Sequence, residues 1–191
     1  MSEFFSYFPK TLNDLTQVGQ QTLVTNILKR FQVRSDVKNR TDVFYEYNIQ
    51  EGDRPDTVAE KYYGNADLAW IVLYFNDIVD PIFGWYLTTH QFNKMIKGKY
   101  GSIPAAQAEV HEYRQVLDTA RILNDGTQIP KRYVVVDLTT YNTLTESQKE
   151  LVSKYDYEIE ENEKRQKIKI LDKRYVDKLK DEVRSILKDN I

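Results

Sequence analysis

The chain has 191 residues, with 27 lysines and arginines against 29 aspartates and glutamates and a net charge of −2. No global field therefore argues for nucleic acid or an anionic membrane surface as a partner, and the absence of cysteine excludes disulfides, thiolate catalysis and cysteine metal sites together. There is no run of about eighteen apolar residues and no basic start followed by an apolar stretch, so a soluble, unexported protein is expected, as one compact unit with appendages or two small units.

Aromatic side chains are dense, with 14 Tyr, 8 Phe and 2 Trp making 13% of the chain; such rings are enriched at interfaces as well as in cores. Phe4, Phe5, Tyr7 and Phe8 precede Pro9 in a segment too short to bury them by itself. Either this arm folds back over another part of the chain, or it adds to a neighbouring molecule as a strand would. Between Thr22 and Phe31, Leu23, Ile27 and Phe31 recur every fourth residue beside Val24 and Leu28, which predicts a short helix. The following RSDVKNR reads as a polar link.

From Val43 to Trp85 the pattern is strand, turn, helix, turn, helix. Val43, Tyr45, Tyr47 and Ile49 alternate with Phe44, Glu46, Asn48 and Gln50, so a strand would carry one apolar row. Gly52 and Asp53 end it. Asp53 is placed as a helix N-cap, followed by Arg54, with Pro55 in the first turn and Asp56 near the positive end of the dipole. Val58, Ala59 and Tyr62 share a face of this helix up to Tyr63, Gly64 supplies a left-handed stop, and Asn65 caps the next helix. Leu68, Ile71, Val72 and Phe75 form one stripe of that second helix, which closes at Asn76. Trp70, Leu73 and Tyr74 make its other side apolar too, and two uses remain open for them: packing under the rest of the chain, or docking another protein.

Thr88 and Gln91 have capping-box spacing, ahead of a helix face formed by Phe92, Met95, Ile96 and Tyr100 and limited by Gly98 and Gly101. Val110–Leu117 and Arg121–Val136 read as strands around an Asn124-Asp125-Gly126 turn, with an interruption at Pro130. Thr143 and Glu146 are spaced to begin a helix in which Glu150–Lys154, Glu160–Lys164, Glu161–Arg165 and Glu163–Lys167 are acidic-to-basic pairs four apart. Lys167–Leu171 alternates lysine with isoleucine as a short strand would. Asp172 then caps a helix whose Val176, Leu179, Val183 and Ile186 follow three-four-three spacing, widened by Leu187.

Tyr47-x-Ile49-x-x-Gly52-Asp53, the helix ending Tyr62-Tyr63-Gly64, and the second helix closing at Asn76 resemble a LysM module, which implies a β-α-α-β fold. Its closing strand is expected at Gly84–Leu87. More narrowly, EGDRPDTVAEKYYGNADLAWIVLYFNDIVDP with Gly84-Trp85, the opening FFSYFPK, KYGS at 99–102 and ENEKRQKIKILDKRYV at 161–176 resemble the LysM-containing baseplate wedge family of contractile-tailed bacteriophages. The expected class is α+β: an N-terminal aromatic arm and short helix (1–42), the LysM-like module with its following helix (43–101), a β-hairpin or small sheet (102–142), and a C-terminal helical region (143–191).

Catalytic signatures are missing from the sequence. His90 and His111 sit in unrelated contexts, no HExxH or Gly-x-Ser-x-Gly pattern occurs, and the acidic run lacks the glycine of a calcium loop. Asp77 and Asp80 read as helix-end and turn residues before Pro81. No catalytic, cofactor or metal residue is therefore assigned. The resemblance implies a non-catalytic structural protein of the virion's tail baseplate, assembled in the host cytoplasm, that joins neighbouring wedge subunits and takes other wedge proteins as partners. Phe4, Phe5, Tyr7, Phe8, Trp70, Tyr74 and Trp85 are the expected partner anchors. The second reading is a LysM-type peptidoglycan binder using the Asp53–Asp56 and Asn76–Asp80 loops, in which Asp53-Arg54-Pro55-Asp56 follows the glycine where sugar-binding modules often carry Asp-Thr-Leu; nucleic acid, membrane and peptidoglycan are not expected as partners.

Overall fold

The computed structural model describes residues 3–14, 19–38 and 40–188. In chain order, a 3₁₀ turn at Glu3–Tyr7 leads into strands β1 (Lys10–Asn13) and β2 (Thr22–Thr25), a single helical turn α1 (Ser35–Lys38) and strand β3 (Phe44–Asn48). Helices α2 (Pro55–Tyr63), α3 (Ala69–Phe75), α4 (Thr89–Tyr100) and α5 (Ile103–Ala108) follow. Then come strands β4 (Val110–Asp118), β5 (Arg121–Ile122), β6 (Gln128–Ile129) and β7 (Arg132–Val136), helix α6 (Leu138–Thr143) and strand β8 (Lys149–Ser153). Helix α7 (Lys154–Gln166), strand β9 (Lys167–Leu171) and helix α8 (Val176–Lys188) close the described chain. The mixture is α+β, as expected.

Two compact units result: Met1–Tyr86 with Arg165–Ile191, and Leu87–Lys164. Their boundaries cut through the blocks expected at 43–101 and 143–191.

In the first unit β3 pairs antiparallel with β9, from Phe44 opposite Leu171 to Asn48 opposite Lys167. Gly84–Leu87 is not the partner. Its groups are committed elsewhere: the Gly84 backbone N–H donates to the Asp80 carbonyl at 2.9 Å, and the Trp85 side chain donates its indole N–H to the Asp53 carbonyl at 2.8 Å. Helices α2 and α3 supply Val58, Ala59, Ile71, Val72 and Phe75 to the core, β9 supplies Ile168 and Ile170, and α8 supplies Leu179, Val183 and Leu187. The α8 stripe is buried as its spacing predicts except at Ile186, 43% exposed, which lines an apolar cleft of about 310 Å³ beside Val37 and Val43. Gly64 ends α2 at φ 72, and Asn65 Oδ1 accepts from the Asp67 N–H at 2.9 Å.

The helix expected over Thr22–Phe31 does not form: its first four residues are a strand and the rest is a turn and irregular chain. Thr22–Thr25 pairs antiparallel with Lys10–Asn13, because a run of β-branched residues favours an extended pleat over a helix and the fourfold spacing of Leu23, Ile27 and Phe31 falls on no common face.

In the second unit β4 lies between β7 and β8 in an antiparallel sheet, and a two-pair ladder of β5 with β6 carries the Asn124–Gly126 turn. Pro130 separates β6 from β7 as anticipated. A second core gathers Leu87, Phe92, Ile96 and Ala106. The capping box of α4 forms as predicted, with Thr88 N–H donating to Gln91 Oε1 at 3.0 Å and Gln91 N–H to Thr88 Oγ1 at 3.3 Å. Residues 149–153, expected to be helical, form β8. Glu150 therefore meets Lys131 at 2.5 Å and Lys154 meets Glu109. Glu160 likewise serves Arg114 through two hydrogen bonds of 2.7 and 2.8 Å rather than Lys164, which pairs with Glu161 at 2.5 Å.

Candidate interaction surface

The turn after β3 is built around a buried carboxylate. Asp53 Oδ2 accepts from the Tyr47 hydroxyl at 2.7 Å and the Gln50 N–H at 3.1 Å, while Lys61 pairs with Oδ1. Burial opposes the charge, but these donors outweigh it and hold the carboxyl below its usual range. Burial together with Asp53 pushes the Tyr47 phenol up to about 12. Asp53 is thus not the N-cap. That position falls to Arg54, whose N–H donates to Thr57 Oγ1 at 2.8 Å, with Pro55 opening α2. Gly52, at φ 88, makes the turn.

Asn76 joins α3 to β9. Its Nδ2 donates to the Val72 and Lys169 carbonyls, each at 2.8 Å, and its Oδ1 accepts from the Lys169 N–H at 2.8 Å.

The expected anchors separate into inner and outer groups. Trp70, Tyr7 and Trp85 are buried. Trp70 lies against Phe4 at 5.1 Å, Tyr7 at 6.1 Å and Phe31 at 6.2 Å between ring centroids, so the arm folds back over α3 and Trp70 offers no outer surface. Its indole N–H is buried without a hydrogen-bond partner. Tyr74 stacks on Phe31 at 4.9 Å, accepts from the Val33 N–H at 2.7 Å and lies under Lys38. Phe4 and Phe8 are half-buried, leaving Phe5, 46% exposed, as the outer ring of the arm. Sequence spacing could not tell these cases apart, because a ring beneath an arm and a ring awaiting a partner share one pattern.

Larger apolar exposure lies where no anchor was expected. On the β1–β2 hairpin Leu12 faces Leu23 across the ladder, and both are more than half exposed, as are Ile27 and Leu28 just beyond it. The short strand-favouring runs Lys10-Thr11-Leu12-Asn13 and Thr22-Leu23-Val24-Thr25 were the signal in the sequence. A further exposed set, Val79, Ile82 and Phe83, sits in the loop after α3. Of the glycan-loop residues, Arg54 reaches Asp56 at 2.8 Å and Ile78 packs on the core.

Among the described residues no group of three or more His, Cys, Asp or Glu is arranged to hold a metal ion, and no helix is long and apolar enough to cross a membrane. What these surfaces can do chemically is bind by apolar contact.

Residues 3–186 match the family model described as base plate wedge protein 53. The baseplate wedge protein gp53 of Enterobacteria phage T4 is 28% identical over 105 residues, covering 55% of this chain and 52% of that protein. The match therefore spans about half the relative's length.

Proposed function

This chain belongs to the base plate wedge protein 53 family, and from that premise we propose that it is a structural, non-catalytic component of a contractile-tail baseplate wedge. It joins neighbouring wedge subunits, is assembled in the host cytoplasm and resides in the virion. The observation that carries the joining role is the β1–β2 hairpin. A two-stranded hairpin is marginal by itself, yet this one displays Leu12 and Leu23 to solvent, with Ile27 and Leu28 exposed just beyond it, and a partner subunit laid on the hairpin would cover its leucines. The order β3-α2-α3-β9 supports a LysM-like reading in which the second unit is inserted before the closing strand. Asp53 spends both carboxylate oxygens inside the chain, which leaves little of that turn for glycan recognition.

The test is to tag the chain, recover it from productively infected cells and resolve it on a sizing gradient with identification of co-migrating proteins. Migration in large particles with other tail subunits is expected. Migration as a free small protein, or with wall fragments, would overturn the reading.

A further inference from the structure

The loop Asn76–Trp85 is an apolar tip on a fixed base. Val79 is 96% exposed, and Ile82 and Phe83 are each 65% exposed, although a surface loop ordinarily presents polar groups. Its shape is set from within. Asp80 Oδ1 accepts from the Ile82 N–H at 2.8 Å and the Phe83 N–H at 3.1 Å, and the Asp80 carbonyl accepts from the Gly84 N–H at 2.9 Å. At the base, Asp77 adopts a left-handed φ of 53, Asn76 clasps β9, and the Trp85 indole holds the Asp53 carbonyl. Gly84 is required for this closure, since a Cβ there would stand 2.6 Å from the Asp80 carbonyl oxygen.

A preformed turn loses little freedom on binding, so its exposed side chains act as anchors at low entropic cost. The charge around them selects the partner. Residues 76–86 contain Asp77 and Asp80 and no lysine, arginine or histidine; Lys38 pairs with Asp77 at 2.6 Å, which leaves Asp80 as the charge beside the tip. An anionic lipid surface would repel that carboxylate, and two copies meeting tip to tip would set one Asp80 against another. Sugar recognition needs outward donors and acceptors, whereas Asp80 Oδ1 is turned inward to the backbone and the outward groups are hydrocarbon.

Resting on the wedge reading above, we propose that the Val79–Phe83 tip plugs into an apolar pocket with a basic rim on another protein subunit of the wedge. The test uses wedge complexes isolated from cells infected with phage lacking this chain, mixed with purified wild-type protein, Val79→Asp, and the triple variant V79S/I82S/F83S. Wild type binds, and both variants bind at least about tenfold more weakly while their urea midpoints stay unchanged. Val79→Asp guards against misfolding, because that side chain is almost wholly in solvent. If wild type binds and the variants bind within about twofold of it, the plug is wrong while the wedge role stands. If wild type does not bind, the wedge reading fails and the plug with it. Sedimentation of wild type, but not of Val79→Asp, with vesicles of phosphatidylglycerol and phosphatidylethanolamine would overturn the proposal in favour of a membrane contact.

Discussion

Trp70 shows how one side chain can be read two ways from spacing and only one way from contacts. Enclosed by Phe4, Tyr7 and Phe31, it is expected to lose about 3–5 kcal/mol on truncation to alanine, measured by urea unfolding. Trp70→Phe should cost clearly less, because it removes an indole N–H that has no partner along with part of the ring. Asp53 makes a pH-dependent contribution. Its folded carboxyl titrates below the unfolded value of about 3.9, so its stabilisation is present above about pH 4 and is lost as pH falls through the lower folded value. The gap in urea midpoint between wild type and Asp53→Asn should therefore be wide near about pH 6 and shrink toward about pH 3; a constant gap would show that the charge does not matter. Arg114 is 2% exposed, pairs with Glu112 and Glu160 and lies 4.0 Å from the Tyr133 ring centroid. Arg114→Lys keeps the charge but loses the planar fork, and should cost about 1–3 kcal/mol by the same measurement.

At the scale of elements, the first unit is closed by a strand that arrives late in the chain. β3 finds its only ladder partner among the described residues in β9, and Asn76 ties that strand to the end of α3 through three hydrogen bonds. Asn76→Ala leaves the Lys169 amide and two carbonyls to find water, at about 1–2 kcal/mol. Hydrogen exchange at the Lys169 amide should accelerate accordingly, and unchanged protection would show that the clasp is dispensable. The α3 stripe, the α4 capping box and the α8 stripe each follow from local spacing, because side chains three and four apart share a helix face and a capping box is closed within one turn. β8 does not. Its acidic and basic residues have helical spacing, but Tyr113 and Arg114 of β4 take Leu151 and Glu150 as cross-strand neighbours, and ladder pairing with β4 overrides weak intrahelical ion pairs of about 0.2–0.5 kcal/mol.

For the whole molecule, the second unit is an insertion whose two ends meet. Asn162 Oδ1 accepts from the Leu87 N–H at 2.8 Å, and its Nδ2 donates to the Leu87 carbonyl at 3.0 Å, so chain entry and exit lie together, the geometry under which insertions are tolerated. Replacing Leu87–Lys164 by a short Gly-Ser linker should leave the first unit folded with one cooperative urea transition, because its core residues all lie outside the excised segment. Residues 87–164 expressed alone should likewise retain a dispersed amide NMR spectrum. A collapsed spectrum or a broad, non-cooperative transition would show that the units depend on each other for folding. Under the proposed joining role, the exposed leucines, isoleucine and loop tip bear more directly on function than the titratable groups do.

The amino-acid sequence by itself determined the α+β class, the paired helices with Gly64 and Asn65 between them, the helix stripes, the turn at Asn124–Gly126 and the family resemblance. The helix stripes, caps and turn are local, set by spacing between near neighbours, and the resemblance rests on motifs spread from 4 to 176 that can each be read without knowing the fold. Tertiary structure alone decided that β3 pairs with β9 more than a hundred residues away rather than with Gly84–Leu87, because strand pairing is a competition among distant segments that spacing cannot rank. It also decided that Trp70 and Trp85 lie inside while Leu12, Leu23 and Phe83 lie outside, because burial depends on which segment folds over which, and the same apolar side chain serves a core or a partner equally well.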